Sequence, residues 1–250
     1  MGERMWRWSI WGLIGLMLVA CGCFDSKVTV AVNTDGSGTI EHEMYVRVEK
    51  ADEKPKPIEE VKTSCEKAAT TMGEGVTVKA VAELPAKGAW RGYRIEYAFT
   101  DVTKVKIGYL PLGGQSQPSE ESLIRFGFQA GAQPKLTIAR PQGTPGGEDK
   151  DDEPAPEMVK AFDGARIEFS VRVNGKITST NAALVNAERN GLVLLRQDVG
   201  GLLKDKAAMA ALKAISKLKD PKEIQARLQN SAVKKYVEME PAQEVTVQFQ

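Results

Sequence analysis

The chain carries 250 residues, with 34 basic side chains against 33 acidic ones and a formal charge of +1. That balance, with no basic stripe interleaved with aromatics, gives nucleic acid nothing to bind. A single histidine excludes an HExxH zinc site and leaves any Ser-His-Asp or Cys-His centre dependent on His42.

Arg4 and Arg7 make a basic start, and Trp8 to Ala20 is apolar apart from Ser9 and two glycines. A helix of about 13 residues is roughly 20 Å long, short of the ~30 Å hydrocarbon core, so the run fits a signal-peptide core rather than a spanning helix. Leu18-Val19-Ala20-Cys21 resembles the lipobox of bacterial lipoprotein precursors. The resemblance implies cleavage between Ala20 and Cys21, a diacylglyceryl thioether on Cys21, and an acyl chain such as palmitate on its new amino group. Two or more chains hold a protein stably on a membrane. Gly22 stands where an inner-membrane retention aspartate would sit, so the resemblance further implies the outer membrane, facing the periplasm. Residues 1–20 are thus expected to be a signal peptide and 21–27 a lipidated tether.

Cys23 and Cys65 remain. Export permits a disulfide between them, worth about 4 kcal/mol in the chain-entropy model for a loop of roughly 43 residues. Cys65, however, falls on the apolar stripe of a predicted helix, where a free thiol packs as a small hydrophobe, and it is expected to be unpaired.

Val28, Val30 and Val32 alternate with smaller or polar residues, Asp35-Gly36-Ser37-Gly38 supplies a tight reversal, and Thr39 to Glu49 returns with Ile40, His42, Met44, Val46 and Val48 on one face. Pro57 opens a helix whose apolar positions are Ile58, Val61, Cys65, Ala68, Ala69 and Met72, with Gly73 as its left-handed end. A second hairpin joins Val76–Leu84 to Tyr93–Phe99, and Asp101 caps a short helical segment through Val105. A third pairs Leu123–Phe128 with Lys135–Ala139 around Gly131, after a polar stretch from Gly113 to Glu121.

Gln142 to Glu157, rich in proline, glycine and acid, cannot bury enough apolar surface to offset ordering and is expected to be a flexible loop. Arg166–Val173 is a strand, and Asn174-Gly175 predicts that it folds back on itself through Lys176–Thr180. Asn190-Gly191 separates Ala183–Glu188 from Leu192–Arg196. Asp205 opens a helix through Leu218, and Asp220-Pro221 with Glu223 opens another. The Lys-rich face of the latter is that of a surface helix, with a membrane-facing role as the alternative. Val245, Val247 and Phe249 make a last strand.

The pattern is α+β: an antiparallel sheet of hairpins packed on amphipathic helices, with a helical segment near the C-terminus. Residues 28–141 form a first hairpin and helix half and 158–250 a second; one sheet and two subdomains both remain open. Val28-Thr29-Val30-Ala31-Val32-Asn33 with Asp35-Gly36-Ser37-Gly38, and Val171-Arg172-Val173-Asn174-Gly175-Lys176-Ile177 with Asn181, resemble the LppM-type group of bacterial envelope lipoproteins. This implies a curved antiparallel sheet packed on a helix and binding of a lipid or lipid-linked glycan.

No motif carries catalysis. GxxxxGK[ST], GxGxxG and GxSxG are absent, and the acidic pairs Glu41/Glu43 and Glu59/Glu60 lie on polar faces. His42 reads as a hydrogen-bonded core or sheet-edge residue; a pairing with Cys65 across the sheet is the sharper alternative, although nothing nearby would depress the thiol pKa. Tyr93, Tyr97 and Phe99 share one strand face and are the candidate ligand contacts, core packing being the competing role. The expected protein has no cofactor and no metal. It is a non-enzymatic envelope lipoprotein that binds a hydrophobic ligand or an envelope component; the alternative is a ligand-free structural or assembly factor acting through protein contacts.

Overall fold

A computed structural model describes residues 23–48, 57–88, 90–108, 122–141, 156–218 and 220–250. The expected signal peptide, the Ala20–Cys21 cleavage and lipidation site, and all but the end of the 142–157 loop lie outside these residues.

Strands β1 (Cys23–Val32) and β2 (Gly38–Arg47) form an antiparallel hairpin. Asp35 closes its turn: the carboxylate accepts from the Ser37 amide (3.0 Å) and the Ser37 hydroxyl (2.7 Å). Gly38 is required by space, since a Cβ there would sit 1.9 Å from the Ala31 carbonyl oxygen and 2.6 Å from the Phe99 ring. Residues 23–27, expected as part of a tether, are instead the first half of β1. Asp25-Ser26-Lys27 has no apolar alternation to betray a strand; Lys27 faces solvent, while buried Ser26 is satisfied by His42.

Helix α1 (Ile58–Thr71) follows, burying Cys65 and Ala69, with Val61 and Met72 packed beside them. Gly73 (φ 133°) ends it where a Cβ would lie 2.0 Å from the Lys104 carbonyl oxygen. Strands β3 (Thr77–Lys87) and β4 (Trp90–Phe99) pair antiparallel, and a 3-10 turn at Val102–Lys104 is capped by the Asp101 side chain. Then come β5 (Ile107–Gly108), β6 (Leu123–Gln129), β7 (Lys135–Ala139), α2 (Pro156–Ala161), β8 (Arg166–Val173), β9 (Ile177–Thr180) and β10 (Gly191–Asp198). The chain finishes with helices α3 (Val199–Lys204), α4 (Lys206–Ser216) and α5 (Pro221–Gln229), and strands β11 (Val237–Met239) and β12 (Glu244–Phe249).

The described strands make two sheets. The larger runs β11-β10-β8-β1-β2-β4-β3 and the smaller β5-β6-β7-β12-β9. Their inner faces pack together through Val30, Val32, Ile40, Ile95, Phe169, Leu136, Ile138, Val247 and Phe249, and α1 closes over the β3–β4 side. The class is α+β. Strands from before and after residues 142–157 share both sheets, each set in one block, and the blocks meet at β8–β1 in the larger sheet and at β7–β12 in the smaller.

Two expectations change. The larger sheet is mixed rather than antiparallel, because β1 and β8 run parallel from Asp25↔Arg166 to Val32↔Val173. The chain does turn at Asn174-Gly175, but β9 does not fold back on β8. Both edges of β8 are already taken by β1 and β10, so the Asn174 amide bonds the Val32 carbonyl and β9 crosses to pair with β12.

Candidate functional site

The three candidate aromatics lie in the core. Tyr93, Tyr97 and Phe99 are 7%, 4% and 3% exposed within the cluster between the sheets and α1. Burial raises the Tyr97 hydroxyl pKa well above the ordinary tyrosine range, the adjacent Cys65 thiol adding to it. Burial likewise pushes the thiol up, against a hydrogen bond from Tyr97, and Cys65 is a free, buried cysteine. It has neither a disulfide partner nor the electropositive surroundings of a nucleophile.

His42 bonds Ser26 instead, with Nε2 3.0 Å from the hydroxyl oxygen. It sits between Val28 of β1 and Ile95 of β4, and burial lowers its pKa to about 4. The imidazole is therefore neutral near pH 7. Its environment is that of a packed sheet residue, and Cys65 is engaged elsewhere.

The open face of the larger sheet carries charge in register. Pairing aligns Glu238, Arg196, Glu168, Lys27, Glu43 and Arg94 in one row across β11, β10, β8, β1, β2 and β4, with opposite signs facing at every step. Arg196 donates to Glu168 (3.0 Å) and Glu238 (2.6 Å), Lys27 lies 3.8 Å from Glu168, and Arg94 donates to Glu43. Such exposed pairs are worth at most about 1 kcal/mol each, but they hold that face solvated and its side chains extended.

At the β11 edge this face folds into a cleft of about 450 Å³. The end of β10 (Arg196, Gln197, Asp198) and β11 form one wall; α5 (Gln225, Leu228, Gln229) and Lys234–Tyr236 form the other. Leu184, Leu228, Val237 and Met239 supply apolar lining, and Arg166, Arg196, Lys234 and Lys235 supply positive charge against Asp198 and Glu238.

Local chemistry builds these walls. Asp198 caps α3, accepting from the Gly201 amide at 2.8 Å. Asp205 caps α4 through the Ala208 amide (3.0 Å) and accepts the Tyr236 hydroxyl (2.9 Å), bonds that hold its carboxyl below the usual range. The Lys235 ammonium lies 5.0 Å from the Tyr236 ring. Leu184 is held by a buried carboxylate: Glu240, fully enclosed, accepts from the amides of Ala183 (2.8 Å), Leu184 (3.0 Å) and Ala242 (3.1 Å).

Periodicity does not reveal this cleft, because its walls come from β10, β11 and α5, separate segments that only the fold brings together. The lysine-rich character near the C-terminus was its one visible sign. Among the described residues, no group of three or more His, Cys, Asp or Glu side chains could hold a metal ion, and no helix is long and apolar enough to cross a membrane.

No protein-family model and no curated protein matches the chain. Among solved structures, the folded domain of LppM from Mycobacterium tuberculosis aligns with all of this chain and 95% of its own length, at 10% identity and a TM-score of 0.33. An M1 zinc metallopeptidase from Deinococcus radiodurans aligns with 71% of this chain and 40% of its own, at 13% identity and a TM-score of 0.26. At TM-scores this low, neither likeness transfers a fold or a function, and what the chain does rests on its own residues.

Proposed function

We propose that this is a non-enzymatic envelope lipoprotein, anchored through acylated Cys21, whose cleft between β10–β11 and α5 takes an amphiphile with an anionic head. The lipobox Leu18-Val19-Ala20-Cys21 supports the anchor, and Gly22 after it supports the outer-membrane, periplasm-facing address. The ligand reading moves away from Tyr93, Tyr97 and Phe99, whose packing against the core leaves them structural. One observation carries it: the cleft pairs an apolar lining from Leu184, Leu228, Val237 and Met239 with Arg166, Lys234 and Lys235. Apolar lining with a few placed charges is what orients an amphiphile.

The test is titration of the mature protein with a short-chain phosphatidylglycerol below its micelle concentration, followed by isothermal calorimetry. Saturable binding is expected, weakened at least about tenfold by Leu228→Glu, since a charge in the apolar lining costs more than the ~1.4 kcal/mol that a factor of ten represents. Absence of binding, or equal binding by the variant, would sink the ligand reading. Radiolabelled palmitate that stays on a Cys21→Ser variant would sink the anchor.

A further inference from the structure

We infer that the end of the larger sheet where β1 begins is the face this protein presses against the phospholipid headgroups, with Trp90 seated among them. The inference rests on the proposed acylation of Cys21 and adds what that anchor does to the folded domain.

Covalent geometry sets the distance. Residue 21 precedes the first residue of β1 by two positions, and two residues span at most about 7 Å. The headgroup layer on each side of a bilayer is itself roughly 5–7 Å thick. An acyl chain in the hydrocarbon therefore leaves no room to lift Cys23 clear of the surface.

The strand register then says what comes down with it. Cys23 pairs with Val46, which pairs with Arg91; on the same end row Lys87 faces Trp90, Asp25 faces Arg166, and Arg166 faces Asp198. With strands about 4.8 Å apart, these positions lie within roughly 15 Å of the start of β1. Strand β1 is central in the sheet, so the membrane meets the middle of this end and not a corner.

The side chains there suit a headgroup layer. Trp90 is half-buried and packs on Phe162 and Ala165, with Leu203 of α3 beside them. A tryptophan with one side on protein and one accessible is the residue type that settles at a membrane interface. Arg91 and Arg166 are exposed, Lys87 is paired with Asp25 at 3.3 Å, and Lys204 is paired with Asp163. The cleft shares Arg166 and Asp198 with this row, so it lies beside the same surface.

The sequence supplies its own probe. Of the four tryptophans, Trp6, Trp8 and Trp11 lie in the expected signal peptide, and only Trp90 would remain in the mature chain. Mature, acylated protein is reconstituted into vesicles of phosphatidylethanolamine and phosphatidylglycerol whose acyl chains are brominated near the glycerol. Trp90 emission is expected to fall by about half, as for an aromatic at headgroup depth. A Thr34→Trp reporter in a Trp90→Phe background, at the far tip of the β1–β2 hairpin and some 30 Å away along the strand, is expected to keep its emission. Sedimentation with vesicles and intact mass are read on the same samples. Protein that sediments with its lipid attached but shows an unquenched Trp90, or equal quenching at both positions, overturns the orientation and leaves the anchor standing. Protein that carries no lipid mass and stays in the supernatant overturns the anchoring reading, and this inference with it.

Discussion

At the residue scale, two polar groups decide most, half-buried His42 and fully enclosed Glu240. His42 is the sole histidine, and the sequence places it correctly on the apolar face of β2. What the sequence could not supply is its partner, because Ser26 belongs to a stretch with no strand pattern. With a folded pKa of about 4 against an ordinary 6.5, the unfolded chain takes up the proton first as pH falls. The contribution is complete above pH 6.5, declines between pH 6.5 and 4, and is level below that; it amounts to about 3 kcal/mol at 1.4 kcal/mol per pH unit. Urea unfolding at pH 7 and pH 4.5 should show a smaller acid loss in His42→Gln than in the parent, and an identical loss in both would contradict the burial of this imidazole. Glu240 is the second group. Its carboxylate accepts from three backbone amides, and nothing in the Met-Glu-Pro context announces it. Glu240→Ala should cost about 2–4 kcal/mol by orphaning those amides, read as a lower urea midpoint with an unchanged slope.

Among elements, those with a long period and a cap were legible. The β1–β2 turn, helix α1 with its glycine terminus, and the start of α5 at Pro221 all announce themselves in side-chain chemistry. Elements held by tertiary contact were not. Helix α3 contains Gly200-Gly201, which in isolation favours a loop, and β11 is three residues long. Gly200 is there for fit: a Cβ would meet the Phe162 carbonyl oxygen at 2.5 Å and the Gly164 amide at 2.7 Å. Alanine would add about 1 kcal/mol of helix propensity and lose more to overlap with backbone that cannot step aside. Gly200→Ala is expected to lower Tm by several degrees, equivalent to a net loss of about 1–2 kcal/mol for a domain of this size, and a raised Tm would show that α3 can shift away from β8. The Asn174-Gly175 pair makes the complementary point. A turn signal fixes that the chain reverses, while the neighbouring strands decide which sheet receives it.

For the whole molecule, alternation identified the inner faces of β1, β4, β8 and β12 but missed the bulge in β3 that turns Val81 inward in place of Ala80 and Ala82, and it could not say which strands are neighbours. The parallel contact of β1 with β8 joins segments whose facing residues Thr29 and Ser170 are 141 positions apart, and no local pattern encodes such a match. It is also why two halves that read separately share both sheets. The cleft was hidden for the same reason, since its walls exist only after β10, β11 and α5 have met. This topology also bears on how the chain must be delivered. If it enters its compartment amino end first, the hairpin carrying Val28, Val30 and Val32 arrives while the ribbon meant to lie alongside it is still unmade or in transit. Until about residue 173 is through, a hydrophobic seam in the future centre of the sheet stands open to any passing strand. Order of arrival and order of assembly thus conflict, and holding that seam apart from other polypeptides is a demand written into the topology.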